Sequence, residues 1–272
     1  MTLNSDAKIV IFTSNHTRHR YVAARLIEVF GILVRKVFFE GRTYVPREIG
    51  KTPEEEAVLS WHFDLRERME EKYFARIAQQ GIGEIPFVTC NYNDLSSDTV
   101  LAELKDIDPD VIAVFGTSVI QDTVIDAFPG RIINMHLGLS PYYRGSGTNF
   151  WALYNEEPEY VGATIHFLDR GIDSGEIIHH ARPMIKQGDN QHDIGCKTII
   201  AGTEKLIQAV REKLDGTIRS YPQWSEGARP FCYRKHFTPQ KAAELKEKFE
   251  NGLVEKYCVR ESRVRDSLRL IP

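Results

Sequence analysis

The sequence predicts an α/β protein: a doubly wound, mostly parallel Rossmann-like sheet with a small C-terminal helical appendage. Three observations carry that reading. Short apolar runs rich in β-branched residues recur along the chain, as in Lys8-Ile9-Val10-Ile11-Phe12 and Asp110-Val111-Ile112-Ala113-Val114-Phe115. These runs are continuous rather than alternating, as expected of strands covered on both faces. Stretches with helical apolar spacing separate them, and strand, helix, strand is the opening of a parallel sheet.

In order, Lys8–Phe12 reads as a first buried strand, Arg20–Phe30 as a helix and Lys36-Val37-Phe38-Phe39 as a second strand. No glycine occurs between the first strand and Gly31. Without glycines a backbone cannot wrap a pyrophosphate closely, which argues against a dinucleotide fold of the GxGxxG kind. Ser14 and Asn15 in that turn are expected to cap the helix. Gly50-Lys51-Thr52 resembles part of a phosphate loop, but Val45 stands where its first glycine belongs and Pro53 suits a helix start instead. From Pro53 to Gln79 the apolar residues Val58, Trp61, Leu65, Met69, Tyr73 and Ile77 recur near helical spacing among many charges. One or two amphipathic helices are therefore expected as an insertion at about 50–82, packed on the sheet or presenting a face to a partner.

Pro86–Cys90 reads as the third strand, Thr99–Lys105 as a short helix and Asp110–Phe115 as a central strand. Ligands of open α/β sheets bind beyond the carboxyl ends of the strands, which places Gly116-Thr117-Ser118-Val119-Ile120 at a crevice. Arg131-Ile132-Ile133 then leads into Asn134-Met135-His136. Side chains two apart on a strand point the same way, so Asn134 and His136 project together while Met135 turns into the core. An amide donor beside an imidazole suits a carbonyl that becomes a tetrahedral oxyanion, and the imidazole can relay a proton near neutral pH. The carboxylate of Gly171-Ile172-Asp173-Ser174-Gly175, in a loop that its glycines let bend, is the candidate to hold that imidazole.

Thr148–Tyr154 is expected to be helical, carrying Trp151 near the site. Gly162–Phe167 and Glu176–Ala181 read as two further strands, and Asp193–Leu214 as a long helix closing a catalytic unit over residues 1–215. His179 and His180 are adjacent, so on a strand they face opposite ways and cannot share a metal; no metal site is expected. His166 is expected at the surface or in packing. The appendage, residues 216–272, opens with an irregular aromatic segment. Thr238-Pro239 then starts a helix that ends near Gly252, and a shorter helix is expected from Glu261.

Composition is that of an ordinary globular protein, with 42% hydrophobic and 27% charged residues. A net charge of −3 gives no reason to expect nucleic acid as a partner. Cysteines 90, 196, 232 and 258 form no Cys-x-x-Cys pair, which points to reduced thiols and a cytoplasmic location. No apolar run reaches membrane-spanning length, and Met1–Asp6 does not read as a signal peptide.

Asn134-x-His136, Pro141-x-x-Arg144-Gly145, Val161-Gly162-Ala163-Thr164 and Asp169-x-Gly171-Ile172-Asp173-Ser174-Gly175 together resemble the N10-formyltetrahydrofolate-dependent formyltransferases, over roughly residues 84–215. That family includes glycinamide ribonucleotide, methionyl-tRNA and sugar N-formyltransferases. The resemblance implies transfer of a formyl group from N10-formyltetrahydrofolate to a primary amine, with Asn134, His136 and Asp173 catalytic. It also implies folate contacts from Gly116, Thr117, Ser118, Val119, Ile120, Leu139 and Asp169, with backbone groups of Ser118–Ile120 on the pterin, and substrate contacts from Arg144 and Trp151. One departure stands out: the family loop reads His-x-Ser-Leu-Leu-Pro, whereas this chain has His136-Leu137-Gly138-Leu139-Ser140-Pro141. The favoured acceptor is a small molecule, an amino sugar on a nucleotide carrier. The phosphate loop of the glycinamide ribonucleotide branch is missing, and about fifty-five residues are too few for the family's tRNA-binding barrel. Another biosynthetic amine, methionyl-tRNA, hydrolysis of the formyl donor and a non-catalytic folate-binding role remain as alternatives. The appendage is expected to pack on the main unit, to bind substrate or to form a homodimer.

Overall fold

The computed structural model describes residues 5–41, 46–264 and 267–272. A seven-stranded sheet runs in the order β3-β2-β1-β4-β5-β6-β7. Its strands are β1 (Ile9–Ser14), β2 (Val34–Glu40), β3 (Phe87–Cys90), β4 (Val111–Phe115), β5 (Ile132–His136), β6 (Ala163–Phe167) and β7 (Ile177–Ala181). The first five are parallel to their neighbours, and β6 pairs antiparallel with both β5 and β7. The expected α/β, mostly parallel architecture is therefore what forms.

The helices are α1 (Thr17–Phe30), α2 (Pro53–Gln80), α3 (Asp98–Ile107), α4 (Asp122–Ala127), α5 (Thr148–Tyr154), α6 (Gln191–Asp215), α7 (Pro239–Glu250) and α8 (Leu253–Val264). Strand pleating sorts the apolar runs onto two faces. Ile9, Ile11, Val37, Phe39, Ala113 and Phe115 join α1, α2 and α6 in one cluster. Val10, Phe12, Phe38, Ile112 and Val114 meet α3 and α4 in another. Continuous apolar sequence is needed because both faces are covered.

The insertion is one helix of 28 residues, not two. Thr52 caps it by accepting from Glu55 N at 3.3 Å, Pro53 fills its first turn, and Glu54, Glu55 and Glu56 place negative charge at the positive end of the dipole. Its apolar residues face α1 and α6, and its other neighbour is α7. Neither Ser14 nor Asn15 caps α1. Ser14 Oγ donates to Gly116 O at 2.7 Å, Asn15 Oδ1 accepts from Arg20 Nε, and the capping position is His16. Ser14 belongs to the strand, so its hydroxyl reaches sideways to the neighbouring strand end rather than forward to the helix.

Residues beyond α6 do not form a separate body. Leu245, Leu253, Val254 and Tyr257 share a hydrophobic cluster with Leu139, Tyr142, Tyr143 and Trp151. Gly145 bridges to Cys232, and Ile177 at the sheet edge to Tyr221. The last helix starts at Leu253, eight residues before the expected Glu261. Gly252, at φ 79°, ends α7, and Leu253, Val254 and Tyr257 then bury one face of the next helix at once. All four cysteines are free thiols. Among the described residues no helix is long and apolar enough to cross a membrane, and no group of three or more His, Cys, Asp or Glu is placed to hold a metal.

Candidate active site

The parallel strands deliver their carboxyl ends to one edge, and a cleft with a cavity of about 640 Å³ opens there. It lies beside the end of β4, the end of β5 and the loop between β6 and β7. Asn134, His136 and Asp173 all line it, as do Gly116, Thr117, Ser118, Val119, Ile120 and Asp169. Met135 between the first two is buried in the core, as strand alternation requires.

His136 is held at both ring nitrogens. Nδ1 lies 3.3 Å from Asp173 Oδ1, and Nε2 donates to the Tyr143 carbonyl at 3.3 Å. Both partners can only accept, so the ring satisfies the two together when it carries two protons. Asp173 is fixed in turn. Its other oxygen accepts from Gly145 N at 2.9 Å, and its own carbonyl accepts from Gln223 Nε2 at 2.8 Å. Asp173 sits at φ 51°, a left-handed conformation that Asp tolerates better than most residues. Behind it the chain doubles back so tightly that a side chain on Gly175 would meet the Phe167 carbonyl at 1.8 Å.

Asn134 has a partner that fixes its orientation. His166 Nδ1 lies 2.8 Å from the Phe167 carbonyl, which only accepts, so that nitrogen carries the proton and Nε2 presents a lone pair. Asn134 Nδ2 donates to this lone pair at 3.0 Å. The amide is therefore turned with its nitrogen toward His166, and the second N–H of that nitrogen remains for the cavity. Burial pushes the His166 pKa down, which keeps the ring in this neutral state despite the nearby Asp173 charge. His166 is fully buried, so of the two expected places for it, packing is the one it takes.

The altered loop has a local cause. A Cβ on Gly138 would stand 2.6 Å from His136 Nε2 and 2.5 Å from Thr148 Oγ1, so a serine there would displace both. Thr148, whose hydroxyl donates to the Leu137 carbonyl, is among the residues that line the cavity. Ser140 is fully buried, away from the cavity, and follows a loop held by Thr164, whose hydroxyl donates to Gly138 O and accepts from Ser140 N.

Three expected contacts do not reach the cavity. Leu139 is fully buried in the cluster beneath the loop, where it packs on Gly162. Arg144 lines neither chamber of the cleft; its carbonyl instead accepts from Cys232 N. Trp151 lines an adjoining chamber instead. At Ser118 the backbone N–H and the hydroxyl both donate to the buried Glu40, so its donors are already committed. Glu40 thereby ties β2 to the loop after β4, a role its position at the end of an apolar run could have signalled.

A family model described as formyl transferase matches residues 66–210. Among curated relatives, the methionyl-tRNA formyltransferase of Thermodesulfovibrio yellowstonii is 27% identical over 139 residues, 50% of this chain and 44% of that protein. The chain thus spans less than half the length of that relative. Among solved structures, a sugar N-formyltransferase from Shewanella sp. FDAARGOS_354 superimposes with a TM-score of 0.56 at 15% identity, covering 85% of this chain and 78% of the other. The N-formyltransferase from Helicobacter canadensis in complex with folinic acid and dTDP-3-aminofucose gives a TM-score of 0.56 at 17% identity, covering 85% and 72%. At these identities the likeness to the solved structures is one of fold.

Proposed function

The chain belongs to the formyl transferase family, and from that premise we propose that it transfers a formyl group from N10-formyltetrahydrofolate to the primary amine of an amino sugar on a nucleotide carrier. The single observation that carries this reading is the meeting of Asn134, His136 and Asp173 in one cavity, with His136 clamped to Asp173 at 3.3 Å.

The donor supplies the reacting carbon, carried on N10 of the folate. The cavity volume of about 640 Å³ suits a ligand of that size, and the exposed apolar side chains of Val119 and Ile172 line it. We assign Gly116, Thr117, Val119, Ile120 and Asp169, which line the cavity, to hold it. Asn134 gives its second amide N–H to the formyl oxygen as negative charge develops there. His136 gives up the Tyr143 carbonyl, whose 3.3 Å contact is longer than a usual hydrogen bond of about 2.9 Å, and turns Nε2 to the reaction. The incoming amine arrives neutral and forms the new C–N bond. Its proton passes by way of the His136–Asp173 pair to N10, whose bond to carbon then breaks. Asp173 supports the ring in its charged form, which begins when Nε2 takes the amine proton and ends when Nε2 gives a proton to N10.

The acceptor is favoured as a small molecule for a stated reason. The residues after α6 fold as helix α7, packed on α2 and α5, and helix α8, packed on α7, and the segment before α7 brings Tyr233, Arg234 and Phe237 to the cleft, enclosing it on a scale that suits a small ligand. Methionyl-tRNA is the second reading, because curated relatives matched over about half of the chain carry that name. A mass-spectrometric screen of nucleotide-linked amino sugars, other amines and methionyl-tRNA, each incubated with the folate donor, tests the proposal. A product heavier by one formyl group on an amino sugar is expected; formylated methionyl-tRNA alone, or release of formate alone, overturns the acceptor assignment.

A further inference from the structure

His136 and Asp173 are both held from one stretch of chain, residues 142–146. The Tyr143 carbonyl accepts from His136 Nε2 at 3.3 Å, and Gly145 N donates to Asp173 Oδ2 at 2.9 Å. The loop that carries this stretch leaves β5 and is secured in two halves. Its first half is held by the sheet: Thr164 bonds Gly138 O and Ser140 N, and His180 Nε2 donates to Ser140 O at 2.8 Å. Its second half is held by residues beyond α6. Arg229 N donates to Tyr142 O, Cys232 N to Arg144 O and Ser146 N to Cys232 O, at 2.8, 2.9 and 2.7 Å. The groups that steady the catalytic pair therefore depend on chain that lies far from the strands in sequence.

A side-chain relay reinforces the same stretch. Tyr143 is buried, and its hydroxyl donates to Glu157 Oε2 at 2.6 Å while accepting from Asn155 Nδ2 at 2.8 Å. Arg229 grips both oxygens of Glu157, with Nη2 on Oε1 at 2.6 Å and Nε on Oε2 at 3.2 Å. Its guanidinium also lies 4.6 Å from the centre of the Tyr160 ring. A two-point, charge-assisted bond of this kind fixes direction as well as distance. Burial would raise the Glu157 pKa, but the bonds from Arg229 and Tyr143 outweigh it and hold it below its ordinary value, so the carboxylate stays ionised. Neither Arg229 nor Glu157 lines either chamber of the cleft. Any influence of the pair on the reaction is therefore carried by the loop.

We propose that the Glu157–Arg229 ion pair is a positioning device for the reaction: through the Tyr143 hydroxyl it fixes residues 142–146, and so aims the Tyr143 carbonyl at His136 and the Gly145 N–H at Asp173. The proposal rests on the formyl-transfer reading for its effect on rate, and on geometry alone for its effect on the His136 ring. With the Tyr143 side chain anchored and the backbone bonded on both sides of it, the planar peptide leaves its carbonyl little freedom to swing. A catalytic group must be held within about 0.5 Å of its productive position by neighbours that are themselves locked. Here those neighbours are the backbone groups of residues 143 and 145, and the lock is Glu157 with Arg229. Arg229 and Glu157 are positioning residues, since neither touches the reacting atoms.

The test compares Arg229→Gln, Arg229→Lys and Tyr143→Phe with wild type in the full chain, each checked for folding by circular dichroism. Two readouts are taken: the ring-nitrogen NMR shifts of His136, which need no substrate, and the single-turnover rate with the folate donor and an amine. Arg229→Gln is expected to change the ring shifts and to lower the rate about tenfold while folate affinity stays within about twofold, as for a misplaced catalytic group. Arg229→Lys still makes one charged bond to Glu157 and is expected to recover part of that loss. Tyr143→Phe cuts the relay with the ion pair intact and is expected to lose as much as Arg229→Gln; it carries the test where Arg229→Gln does not fold. In a His136→Ala background either substitution is expected to cost little more, because the ring through which it acts is gone. Ring shifts and rate unchanged in the folded variants overturn the proposal, as does a loss of folate affinity that matches the loss of rate. A wild type that transfers formyl to no amine overturns the formyl-transfer reading alone. The ring shifts then decide: a change in Tyr143→Phe supports the positioning role, and constancy overturns it.

Discussion

The two chambers of the cleft are made from different kinds of structure. The one around His136 is built from strand ends and the tight loops that leave them, and most of its ordering contacts are to backbone: Tyr143 O, Gly145 N, Phe167 O. The one beside it adds side chains from α2 and from the segment before α7, arginines and aromatic rings among them. A sheet fixes loop geometry to fractions of an ångström, which reaction chemistry needs. Added helices can change their side chains without disturbing that geometry, which recognition needs. The contrast implies that substitutions in the first chamber reduce turnover, while those in the second change affinity.

The largest effect is expected from His136→Ala, which removes the proton relay and should lower kcat by about 10²–10⁴, with folding unchanged by circular dichroism. Wild-type turnover in that variant would break the contrast at its strongest point. Gly138→Ser restores the family's loop residue, yet it forces a side chain to within 2.6 Å of His136 Nε2. Its kcat should drop at least about tenfold, of the size expected when a catalytic group is misplaced by about an ångström, and equal activity would mean that the ring has another place to go. His166→Phe removes the lone pair that turns the Asn134 amide. A fall of about tenfold in kcat with KM unchanged is expected, about one lost hydrogen bond's worth; a change confined to KM would place His166 outside the turnover machinery.

The smallest effect concerns stability. Burial pushes the His62 and His180 pKa values down to about 4. Their folded values lie below the unfolded value, so the unfolded chain binds more protons between about pH 6.5 and pH 4. Stability is fully present above that window and is lost as pH falls through it, on the order of 3 kcal/mol for each group. The urea midpoint should therefore decline across the window, and His62→Phe should flatten part of the decline. A midpoint as steep in the variant as in wild type would show that His62 is solvated.

The sheet was legible because burial on both faces demands unbroken apolar runs, and each of the seven strands lies within about two residues of where those runs placed it. Helix α4 leaves no periodic signal in the sequence, since six residues are too short to display one. For α8, the sequence ends one helix near Gly252 and suggests the next only from Glu261, although Leu253, Val254 and Tyr257 already carry helical spacing. In the site, the candidates on strands or in short glycine-flanked loops line the cavity, because local geometry decides where they point. Leu139 and Arg144 were not, since the loop that carries them folds under itself. Gln223, which reaches the Asp173 loop from fifty residues away, and His62, which arrives on an inserted helix, depend on tertiary contacts that leave no local trace.

Single-turnover consumption of N10-formyltetrahydrofolate, measured with an amino-sugar nucleotide present for wild type and for a folded, folate-binding His136→Ala, bears most directly on the catalytic role of the Asn134, His136 and Asp173 group. Formylated product from wild type and a rate at least about a hundredfold lower in the variant are expected. Equal rates in the two proteins, or no formyl transfer by wild type to any amine, would contradict that role.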